Sequence, residues 1–395
     1  MTISLLSHSG LRRAPSTRPY LTAALLRCAL YLGPLSVAVA AAGPLGRVGR
    51  LVPFAVLVLG WSAAQALTSL GAAVARSDGM AAAARLVAGG FAAAAGLWCA
   101  FVWAAPAGWL GPDRTLAAVI GVGGLTAMAT VTAALVTRAG AGVIGWSVPC
   151  WALGALNVAA AIGGLDGLPI ETLLPAAIVV AAVRAYRPVI GRAAPRRKPF
   201  AATDLRRAAG YLVAGAAQAT CVALTWRAGP AGVTVAAAIP LLLAVPALET
   251  LVGWHVFQVE SGMDAAETGR DYRRHVRGVA VATLAALLPP LAAGVALAAA
   301  AYRLPSGAAG RDGVLALAAG TLLGGFFAAT VLLAARGRTG VAASLATAAP
   351  LAILTVPLLA PTMPPLPAVV AVFAGAHLLA LLTVAQIAAD HRRTS

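Results

Sequence analysis

The chain has 395 residues, 61% of them hydrophobic and only 10% charged, and carries a formal net charge of +17. So much apolar surface cannot be hidden in an aqueous core, which excludes a soluble globular protein, whereas a hydrocarbon slab about 30 Å thick accepts runs of about 20 such residues directly. The positive balance does not mark a nucleic-acid surface, because Lys and Arg follow the connections between apolar runs and do not gather on one domain.

Residues 1–19 form a basic segment. The apolar run at 20–42 is too long for a signal-peptide core and lacks a cleavage site, so it reads as the first of twelve membrane spans. Arg27 stands roughly two turns into it, within RPYLTAALLRCALYLGP. Its two readings are a cationic grip on phosphate in a central cavity and a long side chain snorkelling to the cytoplasmic surface. The following spans are 51–75, which holds Gln65, then 83–105, 115–137, 140–163 with Asn157, and 168–186. A cytoplasmic linker at 187–207, RPVIGRAAPRRKPFAATDLRR, brings three prolines and a block of basic residues, and divides the chain into six plus six. Its charge is a topology signal and could also hold anionic headgroups.

The second half runs 208–227 with Gln218, 231–256 with Glu249 and His255, 278–301, 313–335, 340–361 and 366–389, ending in a tail at 390–395. The lobes are thus 20–186 and 208–389. All twelve runs are read as helices, since only a helix satisfies every backbone polar group inside one segment in lipid, and Ala/Leu/Val/Gly runs lack the alternation of barrel strands. The expectation is an all-α integral membrane protein of about twelve transmembrane helices in two six-helix lobes.

With the N-terminus in the cytoplasm, inner segments hold 22 of the 29 basic residues, outer loops hold Arg47, Arg50, Arg114, Arg227, Arg303 and Arg311, and Arg27 lies within a span. This asymmetry places both termini on the cytoplasmic face of a bacterial inner membrane. Prolines inside several spans, among them Pro34, Pro149, Pro246 and the pair Pro289–Pro290, predict bent helices, and small residues such as GGFAAAAG at 89–96 predict close helix packing. The four cysteines fall within spans as small packing residues, with neither metal nor disulfide spacing.

Ionisable groups in a span cost about 2.5–3.5 kcal/mol at its centre, so each needs a reason. Glu249, three residues after Pro246, could couple protonation to movement or contact a cationic or hydroxyl-bearing substrate; it could also simply pair with a basic neighbour near the headgroups. His255 and His377 read first as hydrogen-bonded or interfacial histidines and second as proton carriers. Gln65, Asn157, Gln218 and Gln386 either join helices or line a hydrated path. No phosphate-binding lysine loop, metal cluster or nucleophile elbow is present, and the outer loops are too short for an external active site; neither enzyme activity, metal nor cofactor is expected.

The link after the second span reads ARSDGMAAAARL, and the link after the eighth, six spans on, reads VESGMDAAETGRDYRRHV. Each places Ser, Asp, Gly, Met and paired alanines ahead of a basic helical turn, as two copies of one elbow would. With twelve spans in two sixes, these segments resemble the superfamily that contains multidrug-extrusion antiporters, lipid-linked oligosaccharide flippases and polysaccharide exporters. The resemblance implies two lobes around a cavity and outward movement of a lipid-linked or polymeric glycan by alternating access; the candidate substrate contacts are the polar residues within the spans, Arg27, Gln65, Gln218, Glu249 and His255. It also implies membrane lipids, the glycan substrate, and glycosyltransferases or synthase subunits as partners. The first span lacks the carboxylate on which antiporters of that superfamily often rely, and instead carries arginine, as peptidoglycan-precursor flippases do. Alternatives are a facilitator-type or drug-efflux transporter, and a non-catalytic permease subunit of a polysaccharide synthase or ATP-driven complex.

Overall fold

The computed structural model describes residues 18–163, 169–189, 200–229, 234–265, 268–305 and 309–390. Among them no strand occurs. In chain order the helices are α1 (Arg18–Ala40), α2 (Ala42–Arg47), α3 (Leu51–Ser77), α4 (Met80–Ala104), α5 (Ala107–Leu110), α6 (Arg114–Val136), α7 (Gly140–Gly163) and α8 (Ile170–Tyr186). They continue as α9 (Ala202–Ala228), α10 (Thr234–Ala265), α11 (Gly269–Ala301), α12 (Ala309–Ala335), α13 (Thr339–Leu359) and α14 (Pro365–Asp390). Apart from the short α2 and α5, each long helix coincides with one expected span, and ten are long and apolar enough over their described residues to cross a bilayer unaided.

Differences lie at helix ends. Residues 202–207, read from the sequence as linker, are the first turns of α9. Helix α10 continues nine residues beyond the expected end at 256, and α11 starts nine residues before 278. Polar, amphipathic turns prolong an apolar core here, which a reading for apolarity alone truncates. Helix α11 begins with a side-chain cap: Thr268 Oγ1 accepts from the Asp271 backbone N–H at 3.2 Å and donates to the Asp271 carboxylate at 2.5 Å.

The chain forms two compact units, one covering Leu26–Ala219 and the other Thr220 onward with the start of α1. Within the first, α6 packs on α3, α4, α7 and α8, while α3 lies on α4 and α7 on α8. Within the second, α12 packs on α10, α11, α13 and α14, while α10 lies on α11 and α13 on α14. Helices α6 and α12 are the fourth long helices of their halves, so the six pairings recur in corresponding positions. The composition of both central helices permits this: α12 is buried around its whole circumference over the unbroken run Leu322–Thr330, and α6 buries Gly121, Leu125 and the run Ala129–Ala134. A helix apolar and small all round belongs at a bundle's centre.

Close approaches replace hydrophobic drive as the source of cohesion. Trp98 of α4 lies flat on Gly121 of α6 and donates to the Ala117 carbonyl at 3.2 Å. Helices α1 and α7 run parallel along a seam in which Gly33 meets Ser147, Gly154 meets Ser36, and Asn157 donates to the Val39 carbonyl at 2.8 Å. Parallel travel is what the first and fifth of a series of alternating spans must show. At the end of that seam Arg47 pairs with Glu171 at 2.6 Å, both more than half exposed. The ion pair joins two connections on one side of the unit and contributes under about 1 kcal/mol.

Candidate functional site

Three of the polar residues singled out from the sequence lie in the first unit. Arg27 is half-buried on α1. Gln65, half-buried on α3, meets α9 at Gly215: a Cβ placed there would stand 2.9 Å from Gln65 Cγ and 3.1 Å from Ser62 Cα. Gly215 is therefore required to be small, and Gln218, one turn further along α9 on the same face, is buried at 3% exposure. The fold thus brings Gln65 and Gln218 to one α3–α9 seam, a relation that sequence alone could not supply.

The acids of this unit stand elsewhere. Asp78 terminates α3, Asp113 caps α6 by accepting from the Leu116 N–H at 2.9 Å, Glu171 opens α8 and Asp204 opens α9. No described helix between Leu26 and Ala219 carries a carboxylate in its interior, whereas α1 carries the Arg27 guanidinium.

In the second unit, His255 of α10 is buried, with Nδ1 2.6 Å from Thr283 Oγ1 of α11. Thr283 donates its only hydroxyl proton to the Val279 carbonyl at 2.7 Å, so the proton in the His255–Thr283 contact belongs to Nδ1. Arg336, just past the C-terminal end of α12, is close enough to act on His255 electrostatically, and its own guanidinium is lowered from the ordinary arginine value by burial. Thr283 and Arg336 escaped the sequence reading because their relevance depends on α10, α11 and α12 meeting. Glu249 lies on α10, and its side chain falls outside the described residues.

His377 of α14 is the most enclosed polar group, with 0% exposure. The ring lies directly on Gly325 of α12, with the backbone of Leu287 and Leu322 beside it. Each unit therefore contains a separate polar locus within its own helices: Gln65 and Gln218 in one, His255, Thr283 and Arg336 in the other.

No family model matches the chain, and no curated protein matches it. Solved structures do. A MOP superfamily transporter from Pyrococcus furiosus aligns over 95% of this chain and 97% of its own, with TM-score 0.56 and 11% identity. A multidrug resistance MATE family transporter of the MOP superfamily, in an inward-facing conformation, aligns over 95% and 96%, with TM-score 0.55 and 11% identity. A eukaryotic MATE transporter aligns over 93% and 94%, with TM-score 0.56 and 10% identity. At such identities the likeness is one of architecture, and over nearly its full length this chain is a multi-pass, all-helical membrane protein with the fold of the MOP superfamily transporters.

Proposed function

We propose that this protein is a membrane transporter that exports a lipid-linked or polymeric glycan by alternating access. The observation that carries the reading is the polarity of the first unit: an arginine on its first helix and, among its described residues, acids only at helix ends. A cargo bearing phosphate needs cationic contacts in a low-dielectric site, where a charge-assisted hydrogen bond is worth about 1.5–3 kcal/mol. The Pyrococcus furiosus structural neighbour is described as having a binding pocket of reverse polarity that suggests a different function, so changes of cargo polarity within this fold have a precedent. In this reading Arg27 contacts the phosphate, Gln65 and Gln218 offer neutral hydrogen bonds, and Glu249 with His255 links protonation to movement.

The test is flipping of a fluorescent lipid-linked oligosaccharide in proteoliposomes. Arg27→Gln should slow it by about tenfold or more, the equivalent of one lost charge-assisted contact, and Glu249→Gln should remove its dependence on a proton gradient. Unchanged transport in both variants would take these residues out of the mechanism. The likeness to a multidrug resistance transporter supports a second reading, efflux of a drug-like compound. Gradient-driven extrusion of a cationic dye by vesicles inert toward the glycan lipid would select it.

A further inference from the structure

The end of the α10–α11 hairpin carries a groove whose lining includes none of the residues assigned above to the cargo. Helix α11 has 33 residues and is about 50 Å long, whereas a hydrocarbon core is only about 30 Å thick. Its apolar part, Gly278–Ala301, suffices for a crossing, so Gly269–Arg277 stands at headgroup level on the basic, cytoplasmic side. The hairpin is held closed there: His275 Nε2 donates to the Gln258 carbonyl at 2.8 Å, and the imidazole lies on Gly262 of α10.

Beside this closure an open groove of about 500 Å³ runs along α11, lined by Trp254 of α10 and by Asp271, Arg274, His275, Gly278, Val279 and Ala282. Volumes of this order accept a small-molecule group or a lipid headgroup with its glycerol. The order of the lining is informative. Asp271 is outermost, Arg274 lies about one turn nearer the membrane, and Gly278 and Ala282 lead into the apolar part of the helix. Asp271 and Arg274 are both exposed, and the Asp271 carboxylate, which accepts from Thr268 through Oδ2, keeps its other oxygen for a second donor. Arg270, Arg273 and Arg277, on the adjoining face, are also exposed and hold this helix against a phosphate-rich surface.

We propose that this groove binds a membrane phospholipid with a phosphoethanolamine headgroup. Such a lipid presents, from water inward, an ammonium, a phosphate, and then glycerol with acyl chains. That sequence matches Asp271, Arg274, and the small-residue track of Gly278 and Ala282 beside the Trp254 ring. Phosphatidylglycerol has the phosphate without the ammonium and leaves Asp271 facing an anion. Phosphatidylcholine has a bulky quaternary cation that cannot donate a hydrogen bond to the carboxylate. The inference requires only that the chain spans a membrane and is independent of the cargo.

Native mass spectrometry of the full-length protein, released from micelles doped with equal amounts of phosphatidylethanolamine, phosphatidylglycerol and phosphatidylcholine, tests it. The expected result is one retained phosphatidylethanolamine, favoured over each competitor by roughly fivefold, as one exposed ion pair allows. Asp271→Asn should erase that preference while lipid still binds, and Arg274→Gln should lower retention of all three lipids. Gly278→Leu, at a position where a side chain meets open space, should fill the groove and expel the lipid without disturbing the fold. Equal retention of the three lipids, a preference for phosphatidylglycerol, or a phosphatidylethanolamine preference that survives both Asp271→Asn and Gly278→Leu would each overturn the proposal.

Discussion

His377 is buried against a glycine that leaves no room for even a methyl group. Alanine is better than glycine in a helix by about 1 kcal/mol, yet a Cβ at position 325 would land on imidazole Cε1, and overpacking of this kind costs about 1–3 kcal/mol. Gly325→Ala is therefore expected to be destabilising in thermal unfolding in detergent. His377→Ala is expected to be destabilising as well, through the cavity it leaves. Combined, the new methyl group enters the emptied volume, and the double variant should lose clearly less than the sum of the two; simple additivity would mean that the two residues do not touch. Of this pair only the histidine could be noticed in the sequence. GTLLGG offers several glycines to choose from, and nothing local shows which one supports a ring from α14.

Among the elements, the α1–α7 seam distinguishes contacts that hold helices together from those that decorate an end. The Asn157 amide, half-buried and bonded to the Val39 carbonyl, is worth about 1 kcal/mol in a membrane bundle, while the exposed Arg47–Glu171 pair is worth a few tenths. Asn157→Leu should accordingly lower stability in chemical unfolding by about 1 kcal/mol, and Glu171→Gln should leave it nearly unchanged; the reverse order would refute the assignment of the seam. Helix centres were legible from hydropathy because lipid demands long apolar runs. Helix ends were less so. The first turns of α11 carry a visible signal, Thr268 followed three residues later by Asp271, but in a chain read for apolarity the arginines that follow look like loop. The site divides in the same way: polar residues within spans stand out singly, as Gln65, Gln218 and His255 did, whereas partners such as Thr283 and Gly215 are ordinary membrane-helix residues until the helices are packed.

Within the first unit, the distribution of arginines and the packing agree on which connections share a side. Joining Arg47 to Glu171 puts the α2 and α8 connections on a common side, as the charge count requires, and the parallel course of α1 and α7 needs an even number of crossings between them. Single cysteines at Gly46 and Glu171, in a background lacking the four native ones, should react with an impermeant maleimide added outside intact cells. Cysteines at Asp78 and Gly337 should react only after the membrane is opened. Labelling of Gly46 and Asp78 from the same side would contradict the assigned crossings. The order of the long helices was readable from the apolar runs, one helix to each. The identity of the central helix in each half was not, because burial all round leaves the same composition as a helix facing lipid.

The recurrence of one pairing scheme, with the fourth long helix innermost in both halves, also bears on ancestry. Two stretches that share six of their helix pairings, yet little sequence beyond an elbow of a dozen residues, fit duplication of a primordial hexahelical unit followed by long divergence. Selection in such a lineage has preserved who touches whom and let the lettering drift, so the molecule's descent is written in adjacency.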